Sequence, residues 1–220
     1  RDGEWKWFFD NGNLETVGKF QSGVKVGIWV DYHKNGEKNY EEHYLEGKLH
    51  GPTALYDNAG ELQLQLNYYE GTIISYSYLD SEGQLLPAIP LKNESGKIAA
   101  FFKNGKKSFE YELKNGLREG EMTSYHSNGN KEKTIHFKSD LVDGKGLYYD
   151  IDGNIIKEVL YEMGNKNGRV TTYYSNGEKK KEQQYLLDEL YGTSTWYKKS
   201  GEKEKERVYY DNRILTETVY

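Results

Sequence analysis

Residues 27–49 read GIWVDYHKNGEKNYEEHYLEGKL, and Gly51 opens the next copy of the same phrase. Its skeleton is Gly27, Trp29, Tyr32, Asn35-Gly36, Tyr44, Gly47 and Gly51. Later stretches keep it as Gly120, Met122, Tyr125, Asn128-Gly129 and Phe137, then as Gly168, Val170, Tyr173, Asn176-Gly177 and Tyr185. Outward from this unit, turn glycines recur at Gly12, Gly36, Gly60, Gly83, Gly105, Gly129, Gly153, Gly177 and Gly201, with spacings of 24, 24, 23, 22, 24, 24, 24 and 24 residues. A fixed period over nine copies defines a repeat array and precedes any search for motifs.

Each unit reads as one β-hairpin. Asn-Gly between strand-like runs signals a tight two-residue turn, because both residues tolerate positive φ. Side chains after the turn alternate with period two: Leu62, Leu64, Leu66 and Tyr68 share one face, as do Lys107, Phe109, Tyr111 and Leu113. A two-residue turn at Asn35-Gly36 sets Tyr44 opposite Gly27 and Glu42 opposite Trp29. Trp29, Asp31, Tyr40 and Tyr44 then share a face, with the Tyr44 ring expected to cover Gly27. The same device predicts Phe20 over Gly3, Phe137 over Gly120, Tyr161 over Gly144 and Tyr185 over Gly168. Parity puts Phe8, Tyr32, Tyr56, Phe101, Tyr125, Tyr149, Tyr173 and Tyr197 on the opposite face. A three-residue turn with a bulge reverses that assignment for one strand.

Trp29 follows its glycine by two residues, whereas the equivalent sites are Gly146 and Ser194, and those units carry Tyr148 and Trp196 two positions further on. Such exchange fits a packing groove that needs one large ring per unit. Residues 75–95, SYSYLDSEGQLLPAIPLKNES, keep Gly83 but lose the flanking aromatics and hold Pro87 and Pro90. Proline cannot donate to a ladder, so this copy reads as a kink or short insertion.

Composition agrees with a thin aromatic sheet. The 220 residues include 24 glycines and 21 tyrosines but only 3 prolines and no cysteine. Aromatics at 15% exclude a chain that stays unfolded. Net charge is −5, from 30 basic against 35 acidic residues, which leaves no global basic field for nucleic acid. No apolar run approaches the roughly 18 residues of a membrane span. Without cysteine there is neither a disulfide framework nor a thiolate zinc site. The chain opens at Arg1 rather than methionine, so it reads as trimmed or processed, and a removed leader or lipid anchor stays open.

Chemistry-bearing motifs are few. His33, His43, His50, His126 and His136 show no HxxxH or HxH spacing and sit among polar positions. Asp150-Ile151-Asp152-Gly153-Asn154 resembles the start of a calcium loop, yet it lacks the closing glutamate and overlaps a hairpin turn. Ser95-Gly96-Lys97 has no upstream glycine at phosphate-loop spacing, and there is no GxSxG elbow. Near the end, strand alternation is expected to put Lys203, Lys205 and Arg207 on one face and Glu202, Glu204 and Glu206 on the other, giving the sheet a basic side.

Written as G-x-W-x-x-Y-x-x-N-G-x₇-Y-x-x-G-x-x-x-G, the unit resembles the MORN repeat, and more closely the bacterial MORN-variant repeat of YwqK-type antitoxin proteins. The resemblance runs from Gly3 to about Tyr209, broken at 75–95. It implies an elongated single-sheet β-meander used for protein–protein contact and, in eukaryotic members, for phospholipid or membrane association. The expected fold is therefore all-β: an elongated single-layer antiparallel β-meander of about nine 24-residue hairpins. Repeats 1–3 occupy residues 1–74, the degenerate copy 75–95, and repeats 5–9 with a C-terminal edge strand 96–220. The expected function is a non-catalytic scaffold, in a bacterial protein, that binds an unidentified protein partner. Its interaction surface is Tyr32, Tyr56, Tyr125, Tyr149, Tyr173, Tyr197, Lys203, Lys205 and Arg207. The alternatives are binding to anionic lipid or a cell-wall glycan, and antitoxin-like inhibition of a partner. No enzyme activity, cofactor, metal or nucleic acid is expected, and the cell envelope is favoured over the cytoplasm.

Overall fold

The computed structural model describes residues 1–220 as β-structure without a helix. Its hairpins follow one another in two antiparallel sheets, and neither sheet closes into a barrel. The first has eight strands, from Gly3–Phe8 to Ile89–Pro90, hydrogen-bonded in chain order. The second has thirteen, from Gly96–Phe101 to Arg213–Val219, with the short strands Leu141–Val142 and Glu189–Leu190 off the main path. Packing divides the chain into two compact units, Arg1–Ser108 with Leu113–Gly116, and Phe109–Glu112 with Leu117–Tyr220.

All nine glycine turns share one backbone pattern. At Asn35-Gly36, the His33 N–H donates to Glu37 O at 2.8 Å and the Gly36 N–H donates back to His33 O at 2.9 Å. The same pair of bonds closes Phe9–Asn13, Asp57–Glu61, Asp80–Gln84, Phe102–Lys106, His126–Asn130, Asp150–Asn154, Tyr174–Glu178 and Lys198–Glu202. Gly36 has φ +93°, while Asn35 is not left-handed. The loop is therefore one residue longer than the two-residue turn expected of Asn-Gly. A bulge returns that residue: Asp31 pairs with Tyr40 but Tyr32 with Lys38, leaving Asn39 unpaired. The two offsets cancel, so Gly27 does face Tyr44 and Trp29 does face Glu42.

Asparagine earns its place in these turns through its side chain. Asn35 Oδ1 accepts the Glu37 N–H, and its Nδ2 donates 2.7 Å to the Asn58 carbonyl in the next turn of the array. Asn11 to Lys34, Asn128 to Ile151 and Asn176 to Lys199 repeat that stitch. Where the position is Ala59, Glu82 or Asp152, an aspartate two residues earlier (Asp57, Asp80 or Asp150) accepts the turn N–H groups instead.

The two-residue turns with two positive φ values lie at the other end of the strands, at steps such as Glu46-Gly47 (φ +49° and +81°). In eight of these steps the second residue donates its N–H to a carbonyl 22 residues upstream, as from Gly47 to Lys25. Ser139-Asp140, Leu187-Asp188 and Asp211-Asn212 adopt the same shape without glycine. There the left-handed residue's side chain recovers part of the strain: Asp140, Asp188 and Asn212 each accept the backbone N–H of Arg118, Lys166 and Leu190 at 2.7–3.0 Å. The asparagine turns and the tight steps thus each grip the neighbouring repeat.

The expected ring-over-glycine pairs have the right register and the wrong cause. Gly3, Gly27, Gly120, Gly144 and Gly168 lie opposite Phe20, Tyr44, Phe137, Tyr161 and Tyr185. A Cβ at Gly3, Gly27 or Gly120 would meet nothing within 4 Å, and all five have positive φ. Their backbone, not a ring, requires glycine. Rings do close on two other glycines with ordinary backbones, Gly18 beneath Trp29 and Gly146 beneath Tyr161.

The copy over 75–95 keeps both turn types. Asp80–Gln84 closes like the others, and Asn93-Glu94 is left-handed at both residues. What it loses is strand length: Ile89–Pro90 is two residues long and pairs only with Ser75 and Tyr76. Pro87 and Pro90 supply no N–H, and the first sheet ends there.

In the first unit an aromatic ladder runs Trp5, Trp7, Phe20, Trp29, Tyr44, with neighbouring centroids 4.8–6.4 Å apart. Farther along, Leu64, Ile98 and Ala100 are fully buried, with Tyr78 packed 4.9 Å from Phe101. In the second unit Phe137, Val159, Val170 and Tyr209 carry the burial.

Candidate functional site

Tyr125, Tyr149, Tyr173 and Tyr197 occupy one register position in successive hairpins of the second unit, each at the last pair before a glycine turn. Tyr32 and Tyr56 hold it in the first. All six are half-buried rather than exposed. Around them the charges are paired. Lys38 and Glu41, Lys179 and Glu182, and Lys203 and Glu206 form i,i+3 pairs at 2.6–2.7 Å, because the bulged residue between them turns both side chains to one face. Lys145 adds a 3.1 Å pair with Glu158 and Arg169 a 3.5 Å pair with Glu182.

The phenols respond to this setting. Burial, then the 2.6 Å hydrogen bond donated to Glu110, pushes the Tyr125 hydroxyl up to about 12. Burial likewise raises Tyr56 and Tyr173. Tyr173 also lies near the Glu158 carboxylate and the Lys179 and Lys145 cations, which oppose one another.

The basic end divides differently from the expectation of simple alternation. Tyr197 pairs with Lys203 and Trp196 with Lys205, so the bulge at Glu204 puts Lys203 on the tyrosine face and Lys205 on the other. Lys203 is bound to Glu206, whose carboxyl is held down at about 2 by hydrogen bonds from Lys203 and then Tyr220. Lys205 and Arg207 instead gather round Trp196, at 4.8 and 5.6 Å from the ring centroid, and Lys181 joins them at 5.1 Å from the adjacent strand. Arg207 is ion-paired with Glu217. Desolvation, then the like charges of Lys205 and Arg207, lowers the Lys181 ammonium. Lys181 is the residue sequence reasoning missed, since its membership depends on which strand lies beside Trp196.

Two other polar side chains are tied to turn and backbone groups. His126 reaches the Tyr149 carbonyl at 3.2 Å, and the Asp150 carboxylate is occupied by the turn N–H groups and the Asn154 amide. A surface depression of about 480 Å³ is lined by Glu121, Thr134, His136, Asp143, Lys145 and Leu147. No three histidine or acidic side chains are grouped to hold a metal ion. No helix is present that could cross a membrane.

Three segments, residues 1–21, 118–139 and 166–186, match the family model described as the MORN repeat variant. These three segments are thereby identified as MORN-variant repeats. No curated protein matches the chain. Similar solved structures include the crystal structures of TcdB2-TccC3-Cdc42 and of TcdB2-TccC3, at 12% and 13% identity, over 96% and 98% of this chain, with TM-scores of 0.19 and 0.20. The chain spans only 14% and 16% of the length of those chains.

Proposed function

We propose that this MORN-variant array is a non-catalytic scaffold that binds another protein through its tyrosine face. The observation that carries the reading is the repetition of Tyr125, Tyr149, Tyr173 and Tyr197 at one register position, on a surface whose charges already neutralise one another. Half-buried tyrosines held by their neighbours lose little rotamer entropy on contact and offer both an apolar ring and a hydroxyl, the chemistry enriched at protein interfaces. A surface of internally paired lysines and glutamates demands little desolvation of lone charges.

The test is affinity capture with the purified chain followed by identification of what is held. The wild type is expected to retain a defined protein partner that Tyr149→Ser/Tyr173→Ser releases, while the variant keeps its β circular dichroism and melting midpoint. Retention of the same partner by the variant overturns the proposal. Loss that accompanies unfolding identifies the row as core and overturns it equally.

A further inference from the structure

The second unit carries a line of lysines on the face opposite the tyrosines. Strand pairing sets Lys133 beside Tyr148, Tyr148 beside Lys157, Lys157 beside Thr172, Thr172 beside Lys181, Lys181 beside Trp196 and Trp196 beside Lys205. Directly paired residues point to the same side of a sheet, so these seven form one transverse row. The four lysines are 24 residues apart in sequence and stand on every second strand of the path. Strands lie about 4.8 Å apart, which gives a lysine pitch of about 9.6 Å and a row about 29 Å long.

Two further observations distinguish this row from solvated surface charge. None of the four ammonium groups has a carboxylate within 4.0 Å, whereas on the tyrosine face Lys145, Arg169, Lys179 and Lys203 all do. The stems are also placed: Lys157 lies 5.2 Å from the Tyr148 centroid, and Lys181 and Lys205 lie 5.1 and 4.8 Å from that of Trp196. All four lysines are half-buried. On one flank the row of Val159, Val170, Gln183 and Ser194 carries no charge and ends at Arg207, which is paired with Glu217. Along that flank the cations without a carboxylate partner are confined to the line.

We infer that this row binds an extended acidic peptide segment with a carboxylate at every third residue. A polyproline II segment advances about 3.1 Å per residue with three residues per turn. Its every third side chain then recurs on one side about every 9.3 Å, matching the lysine pitch, while the backbone between them passes over Tyr148, Thr172 and Trp196. Aromatic-lined grooves are a known recognition mode for such segments. A membrane offers charge in two dimensions and would leave the uncharged flanking row without use. The site lies on the other face from the tyrosine row, so its failure leaves the scaffold reading standing, and the reverse also holds.

Fluorescence anisotropy with a labelled peptide of four Pro-Pro-Glu triplets tests the match. The control peptide has the same composition with its four glutamates in one block. Affinity for the triplet peptide is expected to be at least tenfold higher, to fall at least tenfold in Lys157→Gln/Lys181→Gln, and to stay within twofold in Lys145→Gln/Lys179→Gln. Equal affinity for the two peptides overturns the inference, and this comparison uses only the unaltered protein. Equal loss in both variants overturns it as well. If inorganic polyphosphate or phosphatidylglycerol vesicles bind through Lys157 and Lys181 while the triplet peptide does not, the occupant is a different polyanion and the peptide assignment is wrong.

Discussion

Substituting Gly18 separates steric need for glycine from conformational need. Gly18 has no left-handed φ, yet a Cβ there would stand 2.1, 2.3 and 2.5 Å from three carbons of the Trp29 indole. Ordinary contact requires almost 4 Å, so the ring must move by roughly 1.5 Å. Trp29 cannot move cheaply. It is 3% exposed, packs edge-on to Phe20 at 4.8 Å, touches Trp7 at 6.0 Å and donates its Nε1–H to Lys19 O at 3.2 Å. Losing that hydrogen bond costs about 1 kcal/mol, disturbing the aromatic contacts about 1 kcal/mol, and overpacking about 1–3 kcal/mol. Against this stands a gain of about 0.5–1 kcal/mol from replacing a strand glycine. Gly18→Ala should therefore cost about 2–4 kcal/mol. In a Trp29→Ala background the same change should be neutral or stabilising, because the obstacle is gone. Urea denaturation of the four proteins in this cycle, followed by far-ultraviolet circular dichroism, measures the coupling. A coupling below about 1 kcal/mol would refute the account of Gly18, as would a loss in Gly18→Ala that persists without the indole.

Asp140 tests the glycine-free step: Asp140→Ala should cost about 2 kcal/mol, since it leaves a left-handed residue and removes the acceptor of the Arg118 N–H and Nε–H. Asp140→Gly loses the same acceptor but relieves the backbone, so thermal melts should order the three as Asp, Gly, Ala; equality of Gly and Ala defeats the idea. Tyr125 makes a pH prediction. Its folded pKa of about 12 lies above the unfolded value of about 10, so its contribution is complete below pH 10 and is lost as pH rises from about 10 to 12. Between those limits Tyr125→Phe should lose less stability than wild type in parallel denaturation curves; parallel losses would show that Tyr125 ionises as it does unfolded.

Much of this architecture could be read from residues 27–49, and what escaped has a physical reason. Period, hairpins and the facing of Gly27 to Tyr44 follow from spacing alone, because spacing counts residues between partners. It does not say how they are spent. A two-residue turn and a three-residue turn followed by a bulge consume the same number, so Asn-Gly was legible as a turn but not as this one. The tight left-handed pairs sit at Glu46-Gly47 and its equivalents, where Ser139-Asp140 and Leu187-Asp188 show that glycine is not obligatory.

The same bulge decides the candidate sites. In each hairpin it shifts by one the residues next to the turn, so Lys203 joins Glu206 while Lys205 joins Trp196. Strict alternation merges the two and sees a basic triplet. One inserted residue per repeat instead sorts the charges, with neutral Lys–Glu pairs beside the tyrosines and unpaired lysines beside Tyr148 and Trp196. The lysine line had a sequence signal in the 24-residue spacing of Lys133, Lys157, Lys181 and Lys205. That period alone does not show that the four share a row with aromatics between them, because only strand pairing puts Lys181 beside Trp196 and Lys133 beside Tyr148. A repeat that holds its pitch turns one lysine per unit into a ruled line, and the ruling is what gives the two faces of this sheet different chemistry.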